Sequence, residues 1–291
     1  MMDTSDLLKK VRKLEIKTKG LTKHIFSGEY HSAFKGRGMS FSEVRDYQYG
    51  DDVRNIDWNV TARTGGPHIK IFEEERELTV MLLIDVSASS FFGTVTAFKN
   101  EILTEIAAVL AFSAITNNDK VGAIIFSDHI EKYLPPKKGK QNILRIIREL
   151  INLTPKQQGT NLSEALIYLN NIEKKRSITF ILSDFMTEGY DQALTIAAKK
   201  HDIIGVHIHD KREEKLPDIG LIQVADAETG SQRIIDTSDP NIRAAYAKHY
   251  RISLEKFNKY FAFAKSDTIS ISTEEDYIKA LQIFFKRRAK R

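Results

Sequence analysis

Asp85, Ser87 and Ser89 stand at alternate positions, and a second acid, Asp184, closes a later apolar run. An Asp-x-Ser-x-Ser turn puts three oxygen donors within five residues, the donor type that hard divalent cations take. Thr160, in the segment Gly159-Thr160-Asn161-Leu162 that opens an expected helix, adds an oxygen from a third loop. Two carboxylates brought close together repel one another unless a cation lies between them. Mg2+ suits such a set, because it keeps several waters and accepts one or two carboxylates; Mn2+ and Ca2+ are the alternatives. Taken singly, each residue reads as a helix cap or a turn hydroxyl. Their combination points to a metal site of Asp85, Ser87, Ser89, Thr160 and Asp184.

The elements that must carry these residues are apolar runs. Val80-Met81-Leu82-Leu83-Ile84 leads straight into Asp85, and Ile178-Thr179-Phe180-Ile181-Leu182-Ser183 into Asp184. Runs of this kind predict strands buried on both faces of a parallel sheet, with the acids at the carboxyl ends where open α/β sheets place ligands. Further strands are expected at 121–126, 203–208 and 269–271, and a short edge strand at 130–134 closed by Pro135-Pro136. Helices are expected near 97–116, 142–152, 161–174, 190–200, 239–263 and 274–288. This alternation gives an α/β fold, a doubly wound, mostly parallel sheet. Residues 77–291 form that domain, with an insertion at about 210–240 holding a hairpin from Leu221-Val224 to Arg233-Ile235.

Residues 1–76 are expected to form an N-terminal extension. Leu7, Val11 and Leu14 mark a short basic helix, and Ser40-Phe41-Ser42-Glu43 has the pattern of a capped helix start. Alternation at Ile56, Trp58 and Val60, a break at Gly65-Gly66-Pro67, and Ile69 and Ile71 predict a β-hairpin over 54–73 that packs Trp58 on the main domain. Asp51, Asp52 and Asp57 with Arg45 and Arg54 read as a surface ion-pair network.

Composition removes several functions. The 291 residues include no cysteine, which excludes disulfides, thiolate metal sites and cysteine nucleophiles. No stretch of about eighteen apolar residues exists, so a cytoplasmic protein without a transmembrane segment is expected. Residues 1–24 hold seven basic and three acidic residues, and 286–291 hold five basic and none acidic. The basic excess therefore sits at the ends, where it is expected to be solvated; nucleic-acid binding through these tails is an alternative reading. No Gly-x-Ser-x-Gly or P-loop is present. A phosphatase with an aspartate nucleophile needs an acid where Ser87 stands, which leaves a Mg2+-dependent phosphoester hydrolase as the enzymatic alternative. His207-x-His209 lacks a third ligand at suitable spacing and reads as structural.

Asp85-x-Ser87-x-Ser89, Thr160 and Asp184, in this order and on these elements, resemble the metal-ion-dependent adhesion site of von Willebrand factor A domains. The stretch from Gly36-Arg37-Gly38 through Asp51-Asp52-Val53-Arg54-Asn55-Ile56-Asp57-Trp58-Asn59 to Ile84-Asp85-Val86-Ser87-Ala88-Ser89 is similar to the bacterial domain-of-unknown-function family fifty-eight. Members of that family are often encoded beside MoxR-type AAA+ ATPases. The resemblance implies an A-domain core and non-enzymatic, cation-dependent binding of a protein partner that offers an acidic residue. It also implies direct contact of Ser87, Ser89 and often Thr160 with the metal. Phe185-Met186 follow Asp184 where adhesion domains commonly have a glycine, which predicts a greasier rim.

Overall fold

A computed structural model of the chain describes residues 39–74, 77–88, 99–153, 159–225 and 232–290. The expected helix near Leu7–Leu14, and Ser89, lie outside these residues. The chain divides into two compact units, one of Phe34–Leu78 and one that takes in Thr79 onward.

In the first unit, β1 (Met39–Asp46) pairs antiparallel with β2 (His68–Glu74). Between them come a 3-10 turn, Val53–Asn55, and the short helix α1 (Trp58–Thr64). Two expectations are corrected here. Ser40 to Glu43 is strand, not a helix start: the turn at Tyr49-Gly50 leaves too few residues for a helix to recover its nucleation cost, whereas the extended chain pairs with β2. The hairpin likewise runs between 39–46 and 68–74, not within 54–73. Of the alternating residues only Ile56 bridges to Ile69. Trp58 opens α1, because the Asp57 carboxylate accepts from the Asn59 and Val60 N–H groups and Gly65 closes the helix at φ 76°. The indole is 71% exposed. The ion-pair network is present: Arg45 grips Asp51 through two 2.8 Å contacts, and Arg54 pairs with Asp52 at 2.8 Å.

The second unit follows the strand-helix alternation. In chain order come β3 (Thr79–Asp85), α2 (Lys99–Thr116), β4 (Lys120–Phe126), β5 (Ile130–Lys137), α3 (Lys140–Asn152), α4 (Leu162–Ile172) and β6 (Ile178–Ser183). They are followed by α5 (Asp191–Lys200), β7 (Asp202–His209), α6 (Lys211–Glu214), β8 (Leu221–Ala225), β9 (Gln232–Asp236), α7 (Pro240–Phe263), β10 (Asp267–Ser272) and α8 (Tyr277–Ala289). β8 and β9 form a separate antiparallel ribbon inside the expected insertion.

The six-stranded sheet has the order β10-β7-β6-β3-β4-β5 and is parallel except for β5 at one edge. Pro135 and Pro136 do not close β5 but lie within it, a place open to residues without an N–H because the strand is at an edge. The chain builds outward from β3 to β4 and β5, then crosses back to lay β6 on the other side of β3. That reversal is the switch point of the sheet. Val80 to Ile84 are wholly buried, as is most of β4, β6 and β7, which explains the unbroken apolar runs.

At the opposite, amino-terminal edge of the sheet, Arg288 of α8 is buried and binds Asp267 (2.8 Å) and Asp202, the first residues of β10 and β7. This member of the basic C-terminal run is a structural clamp rather than a solvated charge. Gly205, in β7, lies under α7: a Cβ there would meet the Phe261 ring at 2.6 Å and Phe257 at 3.2 Å. Gly205→Ala is expected to lose about 1–3 kcal/mol by overpacking, measured as a fall in the denaturant midpoint at unchanged slope.

Candidate functional site

β3 and β6 run side by side with Ile84 opposite Leu182. Asp85 thereby comes level with Ser183, one residue before Asp184. The hydroxyl of Ser183 donates to Asp85 Oδ2 at 2.6 Å, and the Ser87 N–H donates to Asp85 Oδ1 at 2.9 Å. Asp85 and Ser87 are fully buried, and Asp184 is nearly so. Thr160 is held by the backbone on both sides. Its carbonyl accepts from Thr187 Oγ1 at 3.1 Å, in the loop after Asp184, and the next residue, Asn161, donates its N–H to Ser127 O at 2.7 Å. Ser127 follows Phe126, whose carbonyl accepts from Val86 N–H at 2.9 Å. The loops after β3, β4 and β6 and the start of α4 are thus tied together at one end of the sheet. Asp85, Ser87 and Asp184 converge, Thr160 is brought alongside through its main chain, and Ser89 lies outside the described residues.

Two residues that the sequence did not suggest complete the cluster. The ammonium of Lys99, in the first turn of α2, lies 2.8 Å from Asp184 Oδ2 and 2.6 Å from Glu213 Oε1, and its side chain is 2% exposed. Glu213 belongs to α6, where a capping box fixes it: Glu213 Oε2 accepts from Asp210 N–H at 2.9 Å. Two carboxylates, of Asp184 and Glu213, therefore face one ammonium, and Asp85 stands beside Asp184 closely enough to feel its charge. Burial, followed by the neighbouring Asp184 charge, pushes the Asp85 carboxyl from 3.8 up to about 6, against the lowering effect of the Ser183 and Ser87 hydrogen bonds. Burial alone would lower the Lys99 pKa, but the Asp184 and Glu213 carboxylates outweigh it and raise it.

The donors here are all oxygens, with more negative than positive charge, which is the chemistry a hard divalent cation fits. The fit is contested at Asp184 Oδ2, which Lys99 already engages. Among the described residues no three His, Asp or Glu side chains form a ready-made metal cage, so a cation here would rest on two carboxylates, hydroxyls and water. His207 and His209, the other pair weighed from sequence, stack at 4.9 Å and share the Ser270 hydroxyl at 3.1 and 3.4 Å. Burial and the neighbouring His209 hold His207 down at about 3, so the imidazole stays neutral and ties β7 to β10.

Residues 43–256 match the family model described as a protein of unknown function, DUF58. The chain belongs to the DUF58 family. The matched stretch contains Asp85, Ser87, Lys99, Thr160, Asp184 and Glu213. An uncharacterised protein of Mycobacterium tuberculosis and one of Mycobacterium bovis are each 29% identical over 280 residues, covering 95% of this chain and 88% of theirs. Among solved structures, BatB of Bacteroides thetaiotaomicron is similar over 74% of this chain and all of its own, at 17% identity and a TM-score of 0.46. The VWA domain of SpRpn10 is similar over 71% and 94%, at 12% identity and a TM-score of 0.39.

Within this DUF58 chain, the residue after Asp184 explains how the acid is aimed. Phe185 takes a left-handed φ of 52° and is only 2% exposed. Its ring lies 4.5 Å from Phe257 and 5.3 Å from Phe261. The expected greasy rim is corrected accordingly: Phe185 points into the core, and only Met186, 41% exposed, faces outward. The left-handed turn explains why a glycine would suit this position, and the aromatic cluster explains why a phenylalanine holds it instead. Phe185→Ala and Phe185→Gly are both expected to lose about 3–5 kcal/mol of burial. The glycine variant should be the more stable of the two by about 1 kcal/mol, because alanine keeps the strained φ; ranking their melting temperatures checks this.

With its pKa raised by burial, Asp85 is expected to make the stability of the fold depend on pH. Its raised pKa means that its contribution to stability is complete below about pH 4 and is lost as pH rises through about 6. Asp85→Asn removes that loss. In protein treated with chelator, its stability should gain on wild type as pH rises from 4 to 7; a difference constant over that range would contradict this.

Proposed function

We propose that the chain is a non-enzymatic protein-binding module that captures an acidic side chain of a partner through a divalent cation. Mg2+ is the expected ion, with Mn2+ or Ca2+ as substitutes, and Asp85, Ser87, Ser89, Thr160 and Asp184 are the residues that would hold it. The observation that carries this reading is the meeting of Asp85 and Asp184 at the switch point of the sheet, with Ser87 buried against Asp85. In such a site the cation would supply a charged coordination position open to an outside oxygen. Asp85 and Asp184 would anchor it by charge, and the hydroxyls would fill positions that carry no charge. Ser183 keeps Asp85 aimed. Lys99, itself held by the capping Glu213, balances the Asp184 charge.

Capture of a carboxylate would then depend on the ion: without it, two buried acids face a third, and like charges repel. Membership of DUF58 makes a MoxR-type AAA+ ATPase, or its client, the partner to try first, in protein assembly or maturation. Among the described residues no helix is long and apolar enough to cross a membrane, which is compatible with action in the cytoplasm.

Titration of the full chain with Mn2+, followed by calorimetry or by the electron paramagnetic resonance of the free ion, tests the site. Even changes in groups behind metal ligands weaken binding by about 10–100-fold, so Asp85→Ala should weaken it by more than about tenfold. Circular dichroism should show that the fold is retained. Capture of a MoxR-type ATPase in Mg2+ should vanish in chelator and in Asp85→Ala. Capture that persists in chelator, or turnover of a simple phosphoester in Mg2+, would overturn the reading.

A further inference from the structure

Among the described residues Lys99 is the one buried lysine, and its place is costly. It sits in the first turn of α2, where the helix dipole disfavours a cation. Its partners are fixed independently of it. Glu213 is held by the Asp210 N–H, and Asp210 in turn accepts from the Thr273 hydroxyl at 2.9 Å. Asp184 Oδ1 accepts from the Met186 N–H at 3.2 Å, within the turn that the buried Phe185 sets. Both carboxylates are therefore aimed by the main chain. The ammonium, at the end of a flexible four-carbon stem, is the mobile member of the group.

An ion bound through Asp184 Oδ2 would stand next to that ammonium, and the two positive charges would compete for one oxygen. We propose that Lys99 is a tethered competitor for the Asp184 carboxylate, which it surrenders to a divalent cation while keeping its contact with Glu213. Resting on the metal-site reading above, this makes Lys99 and Glu213 the regulatory half of the site. Glu213 gives the displaced ammonium a place to stay, so filling the site does not strand a buried charge. The competition weakens the site for its ion and keeps capture reversible.

Mn2+ titration of the full chain separates the outcomes. Lys99→Met should bind Mn2+ more tightly than wild type, on the order of tenfold or more. That variant also makes the cluster more negative. The double variant Lys99→Met/Glu213→Gln therefore removes one charge of each sign, leaving the net charge of the cluster unchanged and sparing the fold a Glu213 carboxylate without its lysine. It too should bind more tightly than wild type. Equal or weaker binding by the double variant, with wild type still binding, overturns the competition and leaves the metal site standing. Failure of wild type and both variants to bind Mn2+ overturns both.

Discussion

Everything at the functional end of this molecule depends on how buried charge is balanced around Asp184. Unit charges about 4 Å apart attract by about 4 kcal/mol at the effective dielectric of a protein interior. Removing each charge from water costs several kcal/mol in return. The Lys99 contacts with Asp184 and Glu213 therefore come close to cancelling their own desolvation, and burial raises the pKa of Asp85 beside them. Stability does not account for three carboxyls and a lysine at the end of a buried sheet. A protein that needed only a well-packed end could have used apolar side chains, as it does from Val80 to Ile84.

The rest of the second unit holds that balance in place. Parallel pairing of β3 with β6 fixes the distance between the two acid-bearing turns, and the crossover that returns the chain from β5 to β6 makes them neighbours. Behind β6 and β7, Phe185, Phe257 and Phe261 form a tight aromatic group that Gly205 makes possible. Because Phe185 directly follows Asp184, the packing of α7 on the sheet is transmitted to the carboxylate through a single peptide. A disturbance of the core there would move the acid.

Much of this was legible in the chain. Strands buried on both faces have no polar residue to interrupt them, so Val80–Ile84 and Ile178–Ser183 announced both themselves and the acids at their ends. The starts of α4 and α7 were marked by Asn161 and Asp239, which cap them. The first unit was less legible, because a two-stranded ribbon has little core and its local patterns compete. Alternation at Ile56, Trp58 and Val60 suggested a strand, but the Asp57 cap and the Gly65 stop decided for a helix. Lys99 and Glu213 were missed for a different reason. A lysine on a helix is ordinarily solvent-facing, and Glu213 sits in a four-residue helix within an insertion. A signal did exist: Lys99 lies three and four residues before Ile102 and Leu103, in line with the apolar stripe of α2. A charge on the buried stripe of a helix requires a partner, and Glu213 and Asp184 are that partner.

The family relationship and the geometry bear on different questions. DUF58 membership, together with relatives that are themselves uncharacterised, says which chains share this design but not what the design binds. The geometry speaks to chemistry and not to lineage. A fully buried aspartate pushed to about 6, and a neighbouring aspartate held by a lysine on a flexible stem, form a site with two ways to settle its charge. One is a proton on Asp85; the other, on the reading proposed above, would be a cation between the acids. The first alters only the stability of this chain. On the reading proposed above, the second would also offer a coordination position to another molecule, at the sheet end where α/β folds place their ligands.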